Sequence, residues 1–123
     1  MSGPINREED EELDPHRIAH DLETLGSDWA YKKEAADLLE ETKSATRAEI
    51  TNRRRAMDPE LSRKEAEDLA LGSPEWLEHI NAMVVARRDA NIARARYDAA
   101  RARFEAMRTK EATRRAELFH HRG

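Results

Sequence analysis

Between Pro74 and Phe119 the chain runs without a glycine or a second proline. Those are the two residues that most readily end a helix. At 1.5 Å of rise per residue, an uninterrupted helix over this stretch would be on the order of 70 Å long, far beyond an ordinary globular helix. Its apolar residues recur in sevens: Met83, Ala90, Tyr97, Phe104, Glu111 and Leu118 form one series, and Ala86, Ala93, Ala100 and Met107 stand three positions after the first four of them. A seam of this period spans about three and a half heptads and predicts helix pairing at close approach, because so many of its members are alanine.

Composition agrees with this reading. Ala, Glu, Lys, Leu and Arg make up 69 of the 123 residues, above the half that marks long helices and coiled coils. Leu, Ile, Val and Phe number only 19, too few for a rounded core but enough for narrow seams. With a formal charge of only -4, the chain does not have the charge excess of a disordered protein. The fold predicted is all-α: an elongated antiparallel helical hairpin or coiled coil with a very long C-terminal helix, oligomeric through whatever its seams leave uncovered.

Punctuation marks place the elements. Residues 1–13 carry Glu8, Glu9, Asp10, Glu11 and Glu12 with almost nothing apolar, a composition that predicts a disordered acidic tail. A single helical domain is expected over 14–123. Asp14-Pro15 opens a first helix over about 15–25, with Ile18, Leu22 and Leu25 at helical spacing and Gly26 as its stop. Ser27 would cap a second helix over 27–56, ended by Asp58-Pro59. Ser62 and Glu65 have the spacing of a capping box for a connector over 62–71 that ends at Gly72. Ser73-Pro74 then starts the long helix, 74–119.

Two further patterns lie on that helix. One arginine follows each companion position (Arg87, Arg94, Arg101, Arg108), Arg115 continues the row one heptad on, and Arg96, Arg103 and Lys110 form a second basic row. Val85, Ile92, Ala99 and Ala106 form a second apolar stripe, well around the helix from the seam. Residues 1–50 hold 6 basic and 14 acidic side chains, whereas 81–123 hold 11 basic and 5 acidic. Glu34, Asp37, Glu40 and Glu41 are therefore expected to face the arginine rows in an antiparallel hairpin. The stripe is the expected contact with a partner or a second subunit. The alternative use of Arg87, Arg94, Arg101, Arg108, Arg115, Arg96 and Arg103 is a track for nucleic-acid phosphates. The pI near 5.8 opposes tight non-specific binding of that kind.

Signals for chemistry are few. There is no cysteine, so no disulfide and no thiolate site. His16 and His20 stand four apart beside Asp21, but two ligands on one helix do not make a metal site; His120 and His121 have the same standing. Trp29, Trp76, Tyr97 and Phe104 fall at seam positions, which favours packing over base stacking. Arg53, Arg54 and Arg55 end the second helix, where cations complement the helix dipole. No glycine-rich phosphate loop or nucleophile elbow occurs, and no apolar run approaches the roughly 18 residues of a membrane span or the core of a signal peptide. The expectation is a cytoplasmic non-enzyme without cofactor, metal or membrane contact.

Two stretches carry a resemblance: Ser73-Pro74-Glu75-Trp76-Leu77-Glu78-His79-Ile80 and Met107-Arg108-Thr109-Lys110-Glu111-Ala112-Thr113-Arg114-Arg115-Ala116-Glu117. Together with an acidic helix opening near an aromatic such as Trp29, the chain over roughly 27–117 resembles small helical, mostly uncharacterised phage and prophage proteins encoded among recombination and replication genes, near those for single-strand annealing or single-strand binding proteins. The resemblance leaves 1–26 without a counterpart. It implies a non-catalytic accessory or adaptor protein that contacts a recombination or DNA-handling partner. Nucleic-acid binding through the arginine rows and virion assembly or scaffolding are the alternative readings.

Overall fold

The structure, a computed structural model, describes residues 14–122. The acidic tail expected over 1–13 lies outside the described residues. The described chain is all-α, with four helices: α1 (Pro15–Glu41), α2 (Lys43–Met57), α3 (Arg63–Leu71) and α4 (Pro74–Arg122), and no strand among the described residues. Two compact units can be distinguished, one formed by the described residues up to Trp29 with those from Ile92, the other by Ala30–Asn91.

The first expected boundary is absent. Gly26 and Ser27 lie inside α1, which runs unbroken to Glu41. Glycine inside a helix costs up to about 1 kcal/mol relative to alanine, and here the missing side chain has a structural use. A Cβ on Gly26 would stand 3.3 Å from Tyr97 Cε2. The Tyr97 ring therefore lies directly on the α1 backbone, and packing overrides the local stop signal.

A break the sequence did not announce falls instead at Thr42. There the Leu39 carbonyl accepts hydrogen bonds from the Thr42 hydroxyl at 3.3 Å and from His79 Nε2 at 3.0 Å. The Thr42 hydroxyl also donates to the Leu38 carbonyl at 2.9 Å. A side chain from another helix entering the carbonyl ladder is a recognised cause of helix interruption. The helix expected over 27–56 is accordingly the end of α1 followed by α2.

Other caps form where their residues predict. The Asp14 carboxylate accepts from the His16 amide at 3.0 Å. Ser62 caps α3, its hydroxyl accepting from the Glu65 amide at 3.1 Å and donating to Glu65 Oε1 at 3.0 Å. Gly72 is the C-cap of α3 at φ -92, a conformation open to any residue. Buried Ser73 joins two helix ends: its hydroxyl donates to the Ala70 carbonyl at 2.7 Å and accepts from the Trp76 amide at 3.3 Å.

In the unit over Ala30–Asn91, α3 packs on α2, and the buried residues Ile50, Ala70 and Trp76 form a cluster with Ile80 against it. Trp76 also stacks on His79, ring centroids 6.0 Å apart. In the other unit, Trp29 stacks on Tyr97 at 5.6 Å. Within each unit α1 and α4 run antiparallel: Gly26 meets Tyr97 and Trp29 meets Arg94, while Asp37 meets Arg87 and Leu39 meets His79.

The heptad seam is the buried face of α4. Ala90, Ala93, Ala100 and Met107 are buried, and Met83, Ala86, Tyr97 and Phe104 are half-buried. The seam ends at Met107, and Glu111 and Leu118 are exposed. Geometry gives the reason. With Gly26 opposite Tyr97 and antiparallel helices of equal rise, the first residue of α1, Pro15, falls near residue 108 of α4. Beyond that level no described part of α1 remains to cover the seam.

Candidate interaction faces of the long helix

Taking Val85 as position a of a heptad, the buried seam occupies b and f and the second stripe occupies a. At 100° per residue the b/f face and the a/d face lie almost opposite one another. The stripe is exposed as well as apolar. Val85, in the unit over Ala30–Asn91, is 45% exposed, and Ile92, in the other unit, is 44% exposed. Ala99 and Ala106 are exposed, as are Ala95 and Ala102 at d positions.

The arginines at position c divide by their partners. Arg87 meets acids of α1: its Nη2 donates to Asp37 Oδ1 at 2.8 Å and its Nε to Glu40 Oε1 at 3.1 Å. Arg94 lies over the Trp29 ring at 5.7 Å and reaches Asp98 of its own helix at 3.8 Å. Arg108 lies over Phe104 at 5.9 Å, and Arg115 pairs with Glu111 one turn away at 3.9 Å. Arg101, and Arg96 and Arg103 at position e, are exposed and make no ion pair among the described residues. The expected matching of the rows with Glu34, Asp37, Glu40 and Glu41 thus reduces to Asp37 and Glu40 on a single arginine. Glu34 and Glu41 are exposed. The helices diverge from that expectation because the acids of α1 between 34 and 41 all lie opposite the start of the row. Farther along, Arg94 stands over the Trp29 ring instead.

The Asp37 carboxyl is held below the ordinary carboxylate range, first by the Arg87 hydrogen bond, then by Lys33 one turn back at 2.9 Å. Arg87 is raised in turn, first by Asp37 and then by Glu40. A depressed carboxylate contributes stability that is present above its unfolded pKa and lost as pH falls through its folded value. The raised guanidinium stays charged throughout this range, so its contribution lasts only while Asp37 and Glu40 are ionised. The expected result is that Arg87→Ala lowers thermal stability at neutral pH, and that the gap from the native chain closes as the pH is taken below the carboxylate range. Melting curves at several pH values, followed by circular dichroism, check this.

His79 was not singled out by the sequence, because a lone histidine inside an amphipathic helix carries no signature. Its role is to bond the Leu39 carbonyl. Trp76 is buried, and Trp29, Tyr97 and Phe104 are half-buried. The Arg53 guanidinium reaches Glu49 at 3.4 Å and Glu75 at 3.9 Å. It lines, with Arg54, an open cleft of about 550 Å³ floored by Ile50, Leu61 and Leu69. Arg54 and Arg55 close the last turn of α2, the placement expected from the dipole. His16, His20 and His120 are exposed, and the side chain of His121 lies outside the described residues. Among the described residues, no group of three or more His, Asp or Glu side chains is placed to hold a metal ion. No described helix is long and apolar enough to cross a membrane.

No family model, no curated protein and no solved structure matches the chain.

Proposed function

We propose that the chain is a non-catalytic accessory or adaptor protein that acts through protein–protein contact, in the phage-type recombination or replication setting the sequence resemblance implies. The observation that supports this is the exposed stripe of Ile92, Ala99 and Ala106, which lies well around the helix from the buried seam residues Ala93, Ala100 and Met107 of the same unit. Exposed aliphatic residues repeating at heptad spacing are the form a second helix recognises, since each a-position side chain can enter a hole between four partner residues.

One observation favours the nucleic-acid reading as the second possibility. Arg96, Arg101 and Arg103 are exposed without an ion pair among the described residues, so less positive potential is neutralised within the fold than the charge balance suggested. The expected result is binding to labelled single- or double-stranded oligonucleotides weaker than micromolar at physiological salt, with a shallow salt dependence. An open track of six or more phosphate contacts would instead lose about a thousandfold in affinity between about 50 and 200 mM salt. A fluorescence titration at two salt concentrations separates the readings. Tight, steep binding that a folded Arg87→Ala/Arg94→Ala/Arg101→Ala/Arg108→Ala variant loses would replace the adaptor reading with the second one.

A further inference from the structure

The outward face of α4 between Ile92 and Lys110 is bordered by two rows of opposite charge. In the register that places Ile92, Ala99 and Ala106 at a, the g positions hold Asp98 and Glu105. The e positions hold Arg96, Arg103 and Lys110. All five are exposed. Asp98 has a distant contact with Arg94 of its own helix at 3.8 Å, and the other four make no ion pair among the described residues. Flanking e and g charges set the partner and the orientation of helix pairs. Both helix orientations are decided by these rows. In a parallel pair each g residue faces the e residue five positions further along the partner, which sets Asp98 against Arg103 and Glu105 against Lys110. In an antiparallel pair g faces g and e faces e, which sets acid against acid and arginine against arginine or lysine.

Resting on the reading of this face as a protein contact surface, we infer that its partner is a second copy of the same chain, bound parallel and in register. The alanines at 95, 99, 102 and 106 let the two helices approach closely, and Ile92 supplies the largest apolar side chain at the a and d positions. Charge complementarity carries the choice of occupant, because a single chain provides both halves of each pair at the required offset. Exposed ion pairs are individually weak, so their effect here is on orientation more than on strength.

The absence of cysteine makes the test direct. In a parallel, in-register pair every a position meets its own copy, so Ala99→Cys and Ala106→Cys should each give, under mild oxidation of micromolar protein, a reducible species of twice the 14.2 kDa chain mass. Arg101→Cys, on a different face, should not. Asp98→Lys/Glu105→Lys should slow the cross-linking of Ala99→Cys several-fold, and adding Arg103→Glu/Lys110→Glu should restore it, with helicity by circular dichroism unchanged throughout. Cross-linking of one a position but not the other, equal cross-linking of Arg101→Cys, or no restoration by the charge exchange would each overturn the parallel pairing. Those results would leave the adaptor reading in place, since that reading stands or falls on the oligonucleotide titration.

Discussion

Trp76→Ala is expected to destabilise the protein by about 3–5 kcal/mol, the range for truncating a buried tryptophan. Trp76 is the largest member of the cluster with Ile50 and Ala70, and Ile80 packs against that cluster. The two alanines buried beside this region, Ala66 and Ala70, bring little apolar area of their own, so the indole supplies much of what holds the start of α4 on α2 and α3. Set against total stabilities of about 5–15 kcal/mol, the loss should lower the melting temperature by more than about 10 °C. Leu77→Ala is the control. Leu77 is the next residue but 55% exposed, and its truncation should change stability by no more than about 0.5 kcal/mol. Thermal melts showing equal effects of the two substitutions would mean that the cluster does not hold this end of the chain.

Gly26→Leu is the second substitution of large effect, and its sign is informative. Helix propensity alone predicts a gain of about 0.8–1 kcal/mol, because glycine sits in the interior of α1. The packing predicts the reverse. The added Cβ would stand 3.3 Å from Tyr97 Cε2 and 3.6 Å from Cδ2, and the branch beyond it has to displace a ring that is stacked on Trp29. Overpacking of this kind costs about 1–3 kcal/mol, and loss of the aromatic stack adds about 0.5–1.5 kcal/mol. The net expectation is destabilisation by about 1–3 kcal/mol in a denaturant titration. A variant more stable than the native chain would show that Tyr97 does not rest on the α1 backbone.

These two residues also show what the sequence discloses and what it withholds. The seam of α4 was legible because burial on one face of a long helix imposes a period, and Ala90, Ala93, Ala100 and Met107 are buried as that period requires. The caps at Asp14, Ser62 and Ser73 were legible because each is a local hydrogen-bond chemistry of a few consecutive residues. Gly26 misled because its role depends on Tyr97, 71 positions away in the chain, and local propensity carries no information about such a neighbour. The interruption at Thr42 was hidden in part for the same reason, since the ring of His79 on another helix bonds the Leu39 carbonyl there beside the Thr42 hydroxyl. The charge balance set Glu34, Asp37, Glu40 and Glu41 against the arginine rows, and Asp37 and Glu40 do meet Arg87. It overstated the extent of the pairing, because counting charges along a segment does not say at what level each one stands. The outward stripe was legible as a pattern, and the structure adds that Val85 and Ile92 remain exposed.

The account of that exposed face rests on its pairing with a second copy of the chain, and the mass of the protein in solution tests it most directly. Light scattering at micromolar concentration should give a mass above 14.2 kDa, falling toward that value when Ile92 is replaced by a charged residue on an otherwise unchanged helix. A strictly monomeric mass, in a chain that still unfolds cooperatively at high temperature, would contradict it.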